Sequence, residues 1–421
     1  MGLFLSILLP VLAIFCANEF FNIGSWWHQS GVFNIADVGN GLIWLGVFLV
    51  LILPGKRKIL WNPISGLIIL YILFVCIHIS LASLYYGQSL IDGLIGVRHQ
   101  FYYLSFFMFL VLFDDTKKIV QLLDILVVVS FVLVILAVIN HFGPTIFHHK
   151  WAEGHGIRSG ITRAFIPGMS VISFSLLWAF AKWINSENTK KLSRESTIFL
   201  FAAHFFRQTR MRLIGVIMIM TSLLVIKRKW VPLLFLLILS GISFGIIEAT
   251  MEDNVMVNLF SSVYEDVVEQ TGTWKPRLEQ LELDLWEFKR HPWLGSGASA
   301  IRSVTEQGGT RLQVKMAALS YKFDLGYTHW LKSYGMAGIV WLLLFFWFQF
   351  SMGLRAQKRC RGDDKTLAMF ALSYLGFVIV SFVTLNHLMH PDGIIMVCLS
   401  AAVIVRLYKN SQGETGDMVL K

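Results

Sequence analysis

The side chains best suited to bind an anion are three arginines, Arg207, Arg210 and Arg212, which lie between two apolar segments of the chain. Guanidinium groups bind phosphate through two parallel hydrogen bonds. The spacing therefore predicts a site at membrane headgroup depth, with a phosphate or diphosphate as the natural ligand. The alternative is that these long side chains only reach out to lipid headgroups.

Two further arginines are candidates for the same ligand. Arg277 falls in the first turn of a helix that we predict from Pro276 to about His291, where the helix dipole disfavours a cation unless an anion is bound. Arg98 lies at the end of a predicted membrane span. A solvated arginine is the alternative at Arg277, and a headgroup anchor is the alternative at Arg98.

Candidate general bases precede a later apolar segment. Asp324 and His329 lie five residues apart in the sequence, and either side chain could take a proton from a sugar hydroxyl near neutral pH. The alternatives are a helix cap for Asp324 and an interfacial residue for His329.

We expect no metal and no cofactor. A histidine-rich segment suggests a metal site, but its spacing matches no ligand pattern. The four cysteines are scattered and lack CxxC spacing. The segment contains His148, His149, His155, Arg158 and Arg163.

The elements that position these residues are membrane helices. Of the 421 residues, 56% are hydrophobic and only 15% are charged, which is too few charges to cover a soluble surface. Apolar runs near the length of a bilayer span recur along the chain. A net charge of +10 would suggest nucleic acid as the partner of a soluble protein. Here we expect a lipid bilayer and no nucleic acid.

The apolar runs predict an all-α integral membrane protein with about twelve transmembrane helices. Residues 1–248 would hold the first nine, 249–330 a long extracytoplasmic (periplasmic) loop, and 331–421 the last three with a short cytoplasmic tail. The predicted spans are 2–21, 38–54, 63–84, 98–113, 119–141, 164–184, 196–207, 212–226, 231–248, 331–351, 366–385 and 391–408.

Lysine and arginine are concentrated in alternate connections, for example Lys56–Lys58, Lys227–Lys229 and Arg355–Lys365. The connections 22–37, 85–97 and 386–390 contain neither residue. The positive-inside rule therefore predicts that both termini are cytoplasmic and that the candidate site is extracytoplasmic.

We predict that the loop 249–330 contains one amphipathic helix, with an apolar stripe at Leu278, Leu281, Leu285 and Phe288. Gly and Pro are expected to interrupt spans only at their ends. This disfavours the broken helices of secondary transporters.

Three motifs, in this order, resemble elements of the O-antigen ligase and O-antigen polymerase superfamily. The first is Arg207-Gln-Thr-Arg210 followed by an apolar span. The second is Arg277 and then Arg290-His-Pro-Trp-Leu-Gly295-Ser-Gly297. The third is Asp324-Leu-Gly-Tyr327 with Tyr334-Gly335. The resemblance covers about residues 195–350.

The resemblance implies a GT-C-like glycosyltransferase of the bacterial inner membrane that uses an undecaprenyl-diphosphate-linked glycan donor without a metal. Arg210 and Arg277 would hold the diphosphate, and the acceptor would be a glycan or lipid A–core. A chain-length regulator is a further partner that it suggests.

One departure from the family pattern favours a polymerase over a ligase. Ligases of this superfamily carry His-Asn where this chain has Asp324-Leu325. The identity of the base is therefore open between Asp324 and His329. A ligase is the alternative, and a transporter of lipid-linked oligosaccharide is the alternative from another class.

Overall fold

The computed structural model describes residues 3–18, 20, 35–52, 57–143, 146, 157–158, 161–162, 166–185, 190–207, 210–230, 234, 274–297 and 325–419. This part of the chain is almost entirely helical. Its only strands are the two-residue pair β1 (Ile157–Arg158) and β2 (Ile161–Thr162), which are antiparallel.

The helices follow the predicted order. They are α1 (Leu3–Ala17), α2 (Ile35–Ile52), α3 (Pro63–Tyr86), α4 (Leu90–Val97), α5 (Ser105–Leu112), α6 (Thr116–Phe142), α7 (Met169–Asn185), α8 (Lys190–Arg207), α9 (Arg210–Ile226), α10 (Trp274–Arg290), α11 (Gly326–Arg359), α12 (Gly362–Ser381) and α13 (Pro391–Val419). Short 3-10 segments cover Arg57–Leu60 and Arg98–Leu104.

Seven of the described helical stretches are long and apolar enough to cross a membrane. They are Ile35–Ile52, Pro63–Tyr85, Leu90–Leu112, Thr116–Phe142, Gly326–Arg359, Gly362–Ser381 and Pro391–Gln412. The predicted ninth span, 231–248, falls almost wholly outside the described residues. The chain is thus a multi-pass helical membrane protein, and the count of twelve stays a prediction.

Helix α13 corrects one boundary. It continues to Val419 beyond the predicted end at residue 408, so much of the expected short tail is helical. Apolarity alone marks where a helix leaves the hydrocarbon and not where the backbone stops being helical.

The basic connections gather at one end of the bundle. The Lys409 ammonium donates to the carbonyls of Ile59 and Trp61. Lys227 and Lys365 lie within electrostatic range of each other. We call this the lysine-rich end. The opposite end is where α7, α9, α11 and α13 begin and where α3, α6 and α12 end. We call it the histidine-rich end, because His329, His387 and His390 lie there.

Buried helices form the middle of the bundle. Almost every described side chain of α7 is buried, as are most of those of α13, while α2, α3 and α6 each expose an apolar face. Under the histidine-rich end, Tyr71 stacks on Trp330 and Trp341, with ring centroids 5.6 and 4.4 Å away. This packing fixes the start of α11 against α3.

Helix α11 is broken at Gly335, where φ is 61° and ψ is −159°. An unbroken helix would join Met336 N to Lys332 O and Ala337 N to Ser333 O. The turn Pro292–Gly297 takes up all four groups instead. Met336 N donates to Pro292 O and Ala337 N to Trp293 O, at 2.9 and 3.0 Å, while Ser296 N donates to Lys332 O and Gly297 N to Ser333 O, at 2.9 and 3.2 Å.

The expectation that spans are interrupted only at their ends is therefore wrong. Helix α11 starts at Gly326, before the predicted 331, and breaks nine residues later. The predicted span 98–113 covers the 3-10 segment Arg98–Leu104 and α5, whereas the membrane-length stretch Leu90–Leu112 starts earlier and also includes α4. The physical reason in α11 is that a neighbouring turn satisfies the backbone groups, a pairing that the local sequence does not reveal.

The break requires glycine, so we predict that Gly335→Ala destabilises the protein. An alanine Cβ would lie 2.5 Å from Gly295 N and 2.6 Å from Trp293 O, and this backbone region alone costs roughly 1–3 kcal/mol for other residues. The melting temperature in detergent should fall. Gly66→Ala is the control, because a Cβ at helical Gly66 meets nothing within 4 Å. Equal melting temperatures for the two variants would contradict the account.

Candidate functional site

The first turns of three helices meet at the histidine-rich end. Ser170 on α7 donates a short hydrogen bond to the Asp392 carboxylate on α13. Arg212 on α9 lies with Nη2 4.0 Å from the same carboxylate and with Nη1 3.4 Å from Ser170 Oγ. Helix N-termini stabilise a carboxylate, and Asp392 lies in the first turn of α13. The Arg212 guanidinium and the start of α13 therefore both stabilise the negative charge of Asp392. We call Ser170, Arg212 and Asp392, together with His387 and His390, the outer cluster.

His387 lies on the turn between α12 and α13 and is 2% exposed. Burial, and then the charge of Arg212, lower the pKa of its imidazole to about 3. The ring is therefore neutral at physiological pH. A neutral imidazole can accept or donate a hydrogen bond, so His387 suits contacts to hydroxyl groups as well as to anions.

His390 connects the other residues of the outer cluster to neighbouring elements of the fold. It interacts electrostatically with His99 of the 3-10 segment, with His329 of α11, and with His387 and Asp392. The arrangement brings together a carboxylate, a guanidinium and imidazoles. These groups can transfer protons and bind anions. Within the described ranges, no group of three or more His, Cys, Asp or Glu side chains could hold a metal ion.

Several buried polar atoms near the outer cluster have no hydrogen-bond partner in the described part of the chain. They are both amide atoms of Asn386, Nε2 of His387 and the hydroxyl of Tyr374, and Tyr374 interacts electrostatically with Arg212 and Asp392. An unsatisfied buried polar group costs roughly 1–3 kcal/mol. Such groups are typical of sites that hold water or a polar ligand.

The structure describes the arginine turn only in part. Helix α8 ends at Arg207 and α9 begins at Arg210, and the two residues between them lie outside the described residues. The side chains of Arg207 and Arg210 lie outside the described residues. Arg212 belongs to the outer cluster, and its side chain is 13% exposed and paired with Asp392.

The other predicted residues have separate surroundings. Arg98 forms an ion pair with Asp37, with Nε 3.1 Å from Oδ1, and its carbonyl accepts from the side chain of Asn40. Asp324 lies outside the described residues. His329 is 5% exposed on the first part of α11 and is brought towards His390. Of the histidine-rich segment, Arg158 has a described backbone, in β1, and His148, His149, His155 and Arg163 lie outside the described residues.

Helix α10 begins at Trp274, two residues before the predicted start, and Arg277 is its fourth residue. Its buried face is polar and carries Gln280, Asp284 and Glu287, which are 2%, 2% and 7% exposed.

The apolar stripe predicted at Leu278, Leu281, Leu285 and Phe288 does not form the buried face of α10. Leu285 is 38% exposed, and the other three are only partly buried. The reason is that the facing surface of α11 is itself polar.

Asp284 makes the main contact across this interface. Its carboxylate lies 3.7 Å from Lys332 Nζ and accepts a hydrogen bond from Thr328, with side-chain exposures of 1% for Asp284 and 8% for Lys332. Burial raises the pKa of Asp284 to about 6, while Lys332 and the hydrogen bonds oppose that rise. The pair is thus a buried ion pair that joins α10 to α11.

Sequence reasoning missed Ser170, His387, His390 and Asp392. The signal was available in His387-Leu-Met-His390-Pro-Asp392, which places two histidines and an acid around the start of a helix. The sequence analysis used this connection only to predict topology, because it contains no lysine or arginine.

In comparisons with known proteins, no family model matches this sequence, and a search of curated proteins finds no significant match. The resemblance to the O-antigen ligase and polymerase superfamily therefore stays a prediction.

We predict that removing one partner of the Asp284–Lys332 pair costs roughly 3–5 kcal/mol of stability, because the other charge stays buried. Lys332→Met and Asp284→Asn should each lower the melting temperature, and the double variant should lose less than the sum. Lys118 with Asp114, at the start of α6, is the control pair. It is more exposed, at 23% and 42%, and should contribute only about 0–1 kcal/mol. Additive effects at Asp284 and Lys332 would contradict the pairing.

The cost of Lys332→Met should also depend on pH. Without Lys332 the pKa of Asp284 should rise above its present value of about 6. A folded-state pKa above the unfolded value lowers stability as the pH rises through that interval. Lys332→Met should therefore be more damaging at about pH 7.5 than at about pH 5, where Asp284 is protonated with or without Lys332.

Proposed function

We propose that this protein is a polysaccharide polymerase of the bacterial inner membrane. It transfers an undecaprenyl-diphosphate-linked glycan onto the end of another lipid-linked repeat unit, at the extracytoplasmic face, with inversion and without a metal. The observation that carries the proposal is the outer cluster, where a guanidinium, a carboxylate and two imidazoles lie at one membrane end, beside the end of α8 at Arg207 and the start of α9 at Arg210.

The arginines hold the donor in this proposal. Arg210 lies at the first position of α9, where free N–H groups and the helix dipole favour a phosphate. As the anomeric C–O bond breaks, its electron pair leaves with the diphosphate, and Arg210 and Arg277 stabilise the new charge. Arg207 supports the same group, while Arg212 is held by Asp392 and Ser170 and sets the position of the turn.

The acceptor hydroxyl attacks the anomeric carbon from the face opposite the diphosphate and gives its proton to a base. Asp324 is our first candidate and His329 the second. His390 and Asp392 join them, because His390 interacts electrostatically with both His329 and Asp392. The unpartnered polar atoms of Asn386, His387 and Tyr374 suit the hydroxyls of a sugar, which both donate and accept.

A transporter of lipid-linked oligosaccharide is the second candidate. The observation that favours it is the pair of interrupted helical stretches, at Gly335 and at Arg98–Leu104, because broken helices line the substrate sites of many transporters. Against it, most of the described charged side chains lie near helix ends, whereas a transporter is expected to place charges near mid-membrane. An O-antigen ligase that uses lipid A–core as acceptor is the alternative within the same chemistry.

The test uses purified protein with undecaprenyl-diphosphate repeat units as the only substrate. A polymerase generates a ladder of longer glycans on the lipid. A ligase leaves the units unchanged until lipid A–core is added and then makes one transfer. A transporter makes no product but moves the lipid across a liposome bilayer. Any result other than the ladder would contradict the polymerase, and the ladder should survive EDTA.

Variants in the same assay test the assigned roles. Arg210→Ala and Arg277→Ala should remove most activity, and lysine should restore little of it, because an ammonium lacks the planar fork of the guanidinium. Arg207→Ala and Arg212→Ala should be milder. Arg355→Ala, at the exposed lysine-rich end, is the control and should be silent. Asp324→Asn should lose more than His329→Ala, and an unaltered ladder in Asp324→Asn would remove Asp324 as the base.

A further inference from the structure

The surface of α10 that faces away from α11 exposes large apolar side chains. While polar residues face α11, Leu285 and Trp286 are 38% and 40% exposed, and in the turn that follows Trp293 and Leu294 are 76% and 40% exposed. Exposed aromatic and aliphatic side chains that lie together mark a surface that contacts another molecule or a membrane.

Basic side chains accompany this apolar surface. Lys289 and Arg290 are both exposed, and the Arg290 guanidinium carbon lies 4.0 Å from the ring centroid of Trp286. Tryptophan and leucine beside lysine and arginine are typical of helices that lie in the interface between lipid headgroups and acyl chains. The charge therefore complements anionic lipid headgroups.

The turn after α10 fixes this surface beside a membrane-facing helix. His291 stacks on Tyr85 of α3, with ring centroids 4.1 Å apart, and the Leu294 carbonyl lies 2.5 Å from Nε2 of His78. Helix α3 is one of the candidate membrane spans, and it exposes an apolar stripe. The stripe contains Leu70, Leu73, Ile77 and Leu84, which are 56%, 58%, 51% and 77% exposed. The exposed side chains of Trp293 and Leu294 belong to the turn that makes these contacts with α3.

We propose that the second half of α10, from Leu285 onward, together with Trp293 and Leu294, lies in the bilayer interface at the histidine-rich end and binds phospholipid there. The partner is the lipid bilayer, and the inference does not depend on the proposed reaction. The buried ion pair of Asp284 and Lys332 then holds the polar face of α10 on the protein while the opposite face rests on lipid.

The first half of α10 provides the internal contrast. Glu282 is exposed on the same side of the helix, one turn before Trp286, and a carboxylate disfavours an anionic membrane surface. We therefore expect α10 to tilt, with Glu282 in water, Trp286 among the headgroups and Trp293 nearest the acyl chains.

Spin-label accessibility in nanodiscs that contain phosphatidylglycerol tests this order. Labels at Glu282→Cys, Trp286→Cys and Trp293→Cys, each with Cys76→Ser to remove the exposed native thiol, would be probed with oxygen, which partitions into lipid, and with a water-soluble nickel chelate. Leu73→Cys on α3 is the reference for the bilayer interior. Leu294→Cys replaces Trp293→Cys if that variant does not fold.

We expect nickel accessibility to fall and oxygen accessibility to rise from Glu282 to Trp286 to Trp293, with Leu73 at the lipid extreme. Nickel accessibility at Trp293, or at Leu294 in its place, equal to that at Glu282 would overturn the proposal, because the turn would then lie in water.

Discussion

The exchange of backbone hydrogen bonds at Gly335 is the constraint on which the histidine-rich end depends. A membrane helix satisfies its own backbone groups, and breaking it leaves donors and acceptors that must find partners. Here the turn Pro292–Gly297 supplies four partners, so α10 cannot move independently of α11. The same turn rests on His78 and Tyr85 of α3, which ties three elements together at one point.

That junction determines which side chains can meet. It sets Asp284 against Lys332, and it places His329 on the short first part of α11, within electrostatic range of His390. The other residues of the outer cluster lie around the starts of α7, α9 and α13 and on the turn before α13. Charges of both signs and several imidazoles thus lie close together at one membrane end. We infer that this region is where the proposed transfer takes place.

The sequence predicted most helices because hydrocarbon length and apolarity are local properties. The predicted 119–141 and 212–226 correspond to Thr116–Phe142 and Arg210–Ile226. The sequence did not predict features that depend on contacts with an element remote in the chain. Periodicity predicts an apolar stripe on α10, but it does not show that Asp284 is buried against α11 by its contacts with Lys332 and Thr328. Asp392 was overlooked because its partner Arg212 is remote in the sequence.

The central claim is that the diphosphate of a polyprenyl donor binds at the histidine-rich end, beside the arginine turn. Photocrosslinking with an undecaprenyl-diphosphate analogue, with the reactive group next to the diphosphate, tests it directly when the labelled peptides are mapped by mass spectrometry. The account predicts labels on residues 207–212, on the start of α10 and on residues 386–392, which excess unlabelled donor should remove. Competable labels confined to the lysine-rich end, such as residues 227–229 or 355–365, would contradict it.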